Sequence, residues 1–106
     1  MQLFFSPEAQ KDLHGIKTYI SLELENPDAA SNTISKIMNS IRKLSEFPEI
    51  GANLGSILGV QTNYRYLISG KYISFYRYQD DTVYIVRILY GKRDYLRILF
   101  DDLPEE

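Results

Sequence analysis

Apolar residues recur at Ala9, Leu13, Ile16, Ile20 and Leu24, at spacings of 4, 3, 4 and 4. That period lays them along one stripe of a helix of about four turns. A start signal precedes them. Ser6 can cap free backbone N–H groups, Pro7 fits the first turn, and Glu8 sits at the positive end. Upstream, the apolar run of residues 2–5 reads as a strand. Asn26-Pro27-Asp28 repeats the start signal, and Ala30, Ile34, Ile37, Ile41 and Leu44 follow at 4, 3, 4 and 3. Phe47-Pro48 ends this second stripe. So few residues separate the two helices that they must form an antiparallel hairpin.

Residues 49–63 carry Gly51, Gly55 and Gly59 with no period, and read as a loop with room for a short irregular strand. Three strand signals come next, at residues 64–68, 72–78 and 83–90. Ser69-Gly70-Lys71 and Gln79-Asp80-Asp81 separate them, and turns this short make antiparallel neighbours. Residues 95–100 read as a last helical turn or a short edge strand. The predicted architecture is α+β: a small antiparallel β-sheet with a helical hairpin packed on one face, in the order β-α-α-β-β-β. Alternation sets Ile73 and Phe75 against Tyr72, Ser74, Tyr76 and Tyr78, and Tyr84, Val86, Ile88 and Tyr90 against Val83, Ile85, Arg87 and Leu89. A buried unpaired guanidinium is very costly, which assigns Arg65 and Arg87 to the uncovered face or its edge.

Composition narrows the classes. The 106 residues suit a single domain, 1–106, of ordinary soluble character, with 44% apolar and 25% charged residues. The absence of cysteine removes disulfides and thiol chemistry. Neither a secretory leader nor a membrane-length apolar run is apparent, so the cytoplasm is the expected location.

Charge changes the picture more. The chain is −2 overall, yet residues 64–100 hold seven Lys/Arg against three acids, a local balance of +4. Eight of the nine tyrosines fall in the same window, so cations and rings are interleaved there. Such a mixture suits an anionic or base-bearing partner, or a protein surface held by stacking and salt bridges. The acidic tail, 101–106, supplies Asp101, Asp102, Glu105 and Glu106, which lowers the pI without excluding a local basic patch.

Few constellations carry chemistry. His14 is the lone histidine and reads as a boundary residue. No ligand spacing points to a metal, and the glycines at 51, 55 and 59 match no nucleotide-binding loop, so no cofactor is expected. Most tyrosines are better explained by packing on a half-covered sheet. Arg65, Arg87 and Arg93 each need a partner, either an internal acid such as Asp94 or an external phosphate or acidic peptide.

The ordered set of local signatures resembles one family across nearly the whole chain. Its parts are Phe5-Ser6-Pro7-Glu8-Ala9, Asp12-Leu13, Ile16, Tyr19-Ile20, Pro27-Asp28-Ala29-Ala30 and Leu44-Ser45-Glu46-Phe47-Pro48-Glu49-Ile50-Gly51. Tyr64-Arg65-Tyr66-Leu67, Tyr72-Ile73-Ser74-Phe75-Tyr76 and the run from Val83 through Gly91-Lys92-Arg93-Asp94-Tyr95 complete it. Together they resemble the ParE/RelE superfamily, toxins of bacterial type II toxin–antitoxin systems. The resemblance implies growth arrest when the toxin is free, a role in plasmid stabilisation, and restraint by a cognate antitoxin protein.

Two activities divide that superfamily. RelE-like members cut mRNA on the ribosome, and ParE-like members poison DNA gyrase. On the RelE-like pattern the catalytic residues would be Arg65, Arg93 and Tyr95, the arginines stabilising the crowded phosphate. On either pattern Arg65, Arg87, Lys92 and Arg93 are the expected binding residues. The chain departs from the RelE-like pattern in three ways. Residues 50–63 contain no lysine, Leu99 stands where a tyrosine is expected, and Tyr90 stands where some relatives place histidine. These departures favour the gyrase-directed reading over ribosome-dependent mRNA cleavage, with an inactive interaction module as a third reading.

Overall fold

The computed structural model describes residues 1–59, 61–93 and 95–100. Strand β1 (Gln2–Phe5) leads directly into helix α1 (Pro7–Thr18). Ser6 makes the join. Its Oγ accepts the Ala9 N–H at 2.9 Å and donates to the Val86 carbonyl at 2.7 Å. One hydroxyl thus satisfies an orphan helix donor and ties the helix start to the sheet. A π-helical turn, Tyr19–Glu23, continues α1, and Glu25, at φ 52°, ends the run. Asn26 then caps helix α2 (Pro27–Arg42), its Oδ1 accepting the Ala29 N–H at 3.1 Å. Both expected start signals therefore act as caps.

Strand β2 (Ala52–Asn53) and helix α3 (Leu54–Leu58) occupy the segment expected to be mostly loop. A helix of five residues is too short to show a period, which is why the sequence conceals it. Strands β3 (Arg65–Ser69), β4 (Tyr72–Gln79) and β5 (Thr82–Tyr90) follow, and helix α4 (Tyr95–Phe100) comes last. The sheet order is β1-β5-β4-β3-β2. β3, β4 and β5 pair antiparallel as expected, β2 adds a short antiparallel pairing to β3, and β1 adds a parallel pairing to β5, so the five-stranded sheet is mixed. The helical hairpin carries the chain from β1 at one edge of the sheet to β2 at the other, and β5 returns to lie beside β1.

The hairpin covers one face. Ala9, Ile37, Ile41 and Leu44 meet Tyr76, Val83, Ile85 and Ile88, all buried. The opposite face is not bare. Leu54 of α3 and Leu99 of α4 pack there with Phe75 and Leu89. A β-bulge reconciles the two cores. Phe75 pairs with Arg87 while Tyr76 pairs with Ile85, which leaves Val86 without an opposite residue. The extra residue shifts the alternation, so Val83, Ile85 and Ile88 all reach the hairpin-side core. Strict alternation had set Ile88 against the other two.

The loop between α2 and β2 is fixed by Tyr76. Its buried hydroxyl donates to the Pro48 carbonyl at 2.7 Å and accepts the Gly51 N–H at 2.9 Å. A Cβ on Gly51 would lie 2.5 Å from that hydroxyl and 2.7 Å from the Tyr66 carbonyl oxygen, so glycine is required by close approach. Among the described residues no helix is long and apolar enough to cross a membrane.

Candidate functional site

The expected site residues do not converge. Arg65 begins β3, opposite Tyr76 on β4, and on the same strand face as Leu67 of the hairpin-side core. Its Nη1 donates to the Gly51 carbonyl at 2.8 Å and, at 3.3 Å, to that of Glu49. Its guanidinium carbon lies 5.9 Å from the Tyr78 ring centroid. Arg65 thus braces the loop that Tyr76 pins. It sits near the sheet edge as expected, but not on the face away from the hairpin.

Arg87 is also already engaged. Its Nε donates to Asp12 Oδ2 at 2.8 Å and its Nη2 to Oδ1 at 2.9 Å. Asp12 Oδ2 further accepts the Ile88 N–H at 3.0 Å. The reason is topological. β1 pairs with β5 only from Thr82 to Ile85, so the rest of β5 has an open edge on that side. Ser6 takes the Val86 carbonyl and Asp12 takes the Ile88 N–H, so the α1 segment replaces the missing strand neighbour. Arg87 sits at that edge, only 20% exposed, as the charge partner that makes a partly buried Asp12 tolerable.

Arg93 lies elsewhere. Tyr90 pairs with Tyr72, whereas Arg65 pairs with Tyr76 on the same strand. The Arg65 level is therefore displaced by about 13 Å along the strands and by about 10 Å across two strand spacings. Lys92 and Arg93 are exposed on the turn after β5. Lys92 lines a shallow depression with Ile68 and Ile73. Tyr95 opens α4 on the opposite face, its ring 5.2 Å from that of Phe75. Leu99 is 5% exposed and belongs to the same apolar cluster. Asp94 and residues 101–106 lie outside the described residues.

What does assemble is a cleft of about 560 Å³ between α1 and the ends of β4 and β5. Lys11 and Asp12 line it from α1, Tyr19 from the π turn, Lys71 from the β3–β4 turn, Tyr72 from the start of β4, Tyr90 from the end of β5 and Arg93 from the turn that follows. The two turns are locked together, since the Gly91 N–H donates to the Lys71 carbonyl at 2.8 Å. The Tyr72 and Tyr90 rings meet edge to face at 5.9 Å. Burial first, and then the neighbouring Tyr19 and Tyr90 phenols, push the Tyr72 hydroxyl above its ordinary range, so it stays protonated and able to donate. Among the described residues no acid pairs with Lys11, Lys71 or Arg93. Of the expected binding residues, only Arg93 lines this cleft. Lys11, Lys71, Tyr19 and Tyr72 are brought to it by tertiary structure. For Lys71 and Tyr72 the sequence signal was the basic and aromatic bias of the 64–100 window; for Lys11 and Tyr19 there was none.

Among the described residues no group of histidines and acids could hold a metal ion. The sites present are built for electrostatic and apolar contact.

Residues 3–95 match the family model described as ParE toxin of type II toxin-antitoxin system, parDE. The fold is similar to a solved structure described as the chromosomal ParDE TA system from P. aeruginosa. The two share 22% identity at a TM-score of 0.69, over 87% of this chain and 97% of that one. No curated protein sequence gives a match. With a family model spanning almost all of the described residues, the chain belongs to the ParE toxin family of type II toxin–antitoxin systems.

Proposed function

We propose that this protein arrests bacterial growth when free of its antitoxin, and that it acts by inhibiting DNA gyrase without cutting RNA. The observation that carries the reading is the commitment of Arg65. A catalytic arginine needs its guanidinium free to follow the charge that develops on the phosphate. Here it is bonded to two backbone carbonyls of the loop between α2 and β2. Arg93 follows the end of β5, several residue levels and two strands away from Arg65, while the Tyr95 ring packs on Phe75 and Leu99 is buried in the same apolar cluster. Membership of the ParE family points the same way.

An antitoxin partner fits the surface. Phe47 and Ile50 stand 58% and 48% exposed on the loop that Tyr76 and Arg65 hold in place. Two apolar side chains on a pre-ordered loop suit a docking segment, because little ordering cost remains at binding. Regulated expression of this chain alone in bacteria tests the reading. Growth should stop, and co-expression of the antitoxin should restore it; unhindered growth without antitoxin would overturn the toxin assignment.

A further inference from the structure

We propose that the cleft between α1 and the ends of β4 and β5 is a binding site for a small phosphate-bearing ligand of nucleotide size. Three features of the cleft carry this. The first is charge. Lys11, Lys71 and Arg93 converge from three separate elements, and Asp12, the acid among the lining residues, is neutralised by Arg87 and by the Ile88 N–H. The cleft therefore keeps three positive charges in a chain whose net charge is −2. The second is the donor set. Tyr19, Tyr72 and Tyr90 bring three phenols to the same space. A phenol that stays protonated donates to an anionic oxygen, and cation and hydroxyl donors together make the strong, charge-assisted kind of bond. The third is the remaining wall. Ile16, Leu24 and Leu89 supply apolar surface, and Tyr19 is 52% exposed. An anion with a flat apolar body fits this combination, as a ring can lie on Tyr19 while the phosphate meets the cations.

Size and flanking charge select a small ligand over a polymer or an acidic peptide. A volume of about 560 Å³ lies within the usual range for small-molecule pockets, roughly 300–1,000 Å³. Leu24, on the lining, is bracketed by Glu23 and Glu25, with Asp28 a turn further along. A long polyanion leaving the cleft on that side would meet these acids, whereas a compact phosphate held inside would not. The π-helical turn supports the assignment, because it places Tyr19 at the mouth and such turns concentrate at functional sites.

Calorimetric titration of the purified chain at low salt tests this, with ADP, pyrophosphate and adenosine as probes. ADP should bind, pyrophosphate should bind more weakly, and adenosine should be weaker than ADP by at least about tenfold, since it lacks the phosphate. Lys71→Ala and Arg93→Ala should each weaken ADP at least about tenfold with no change in the unfolding midpoint, while Lys36→Ala on α2 should have no effect. Raising the salt should weaken ADP binding. The proposal is overturned by no ADP binding up to about 10 mM, or by ADP binding that both cation variants leave intact. An oligonucleotide or an acidic peptide that binds through Lys71 and Arg93 when ADP does not would equally overturn it, by identifying a different occupant.

Discussion

Arg87 and Asp12, 75 residues apart in the chain, meet through two parallel hydrogen bonds of 2.8 and 2.9 Å. The same carboxylate accepts the Ile88 N–H, so one aspartate closes the open edge of β5 and holds α1 against it. Removing a single partner leaves the other charge and a backbone donor without compensation. Asp12→Ala should therefore lower the unfolding free energy by about 2–4 kcal/mol, read from urea or thermal denaturation. Asp12→Asn, which keeps an acceptor for the Ile88 N–H, should cost less.

Tyr76 and Gly51 make the second structural prediction. Tyr76→Phe deletes a donor and an acceptor and leaves the Pro48 carbonyl and Gly51 N–H without them, a loss of about 1–3 kcal/mol. Gly51→Ala should be at least as damaging, because two of the three nearest atoms to its Cβ are the hydroxyl oxygen and a ring carbon of the buried Tyr76 and the third is backbone. Denaturation midpoints of the two variants check both statements.

How much of this was legible in the sequence depends on the range of the interaction. Ser6 and Asn26 were readable as caps because a cap and its target lie within three residues of each other. The two helical stripes and the three-stranded meander were readable from period and short turns. The bulge at Val86 was not, since one inserted residue leaves no local mark, and it changes which face Ile88 occupies. The parallel β1–β5 pairing and the Asp12–Arg87 bond join segments from opposite ends of the chain, so no window of sequence contains them. Arg65, Arg87 and Arg93 were identified as arginines in need of partners, and two of them find internal ones. The cleft around Lys11, Tyr19 and Lys71 depends wholly on tertiary placement.

Arg65 and Arg93 should behave differently when truncated. Arg65→Ala loses charged hydrogen bonds to the loop, worth about 1–2 kcal/mol after discounting for partial exposure, and should lower the midpoint. Arg93→Ala sits on an exposed turn and should leave the midpoint nearly unchanged. Parallel thermal scans of the two variants measure the contrast.

High pH provides a further test. Burial raises the hydroxyl of Tyr76, against the lowering effect of the Gly51 N–H and Arg65, and Tyr72 is raised as well. A raised folded value means that the native state holds its proton longer than the unfolded chain does. The associated stability is fully present below the unfolded value of 10.0, and is lost as pH rises from there through the folded values. Unfolding free energy should therefore fall above about pH 10, and Tyr76→Phe should flatten the decline. Denaturant titrations across that range, with phenolate absorbance followed in parallel, measure the slope.

We propose that this ParE-family chain disables gyrase and does not cut RNA. The most direct measurement adds the purified protein to DNA gyrase acting on plasmid DNA, and in parallel to ribosomes translating a defined mRNA. The predicted result is loss of supercoiling with trapped gyrase–DNA cleavage complexes, while the mRNA on the ribosome stays intact. Cleaved mRNA on the ribosome, abolished by Arg65→Ala and Arg93→Ala, with gyrase unaffected, would contradict it.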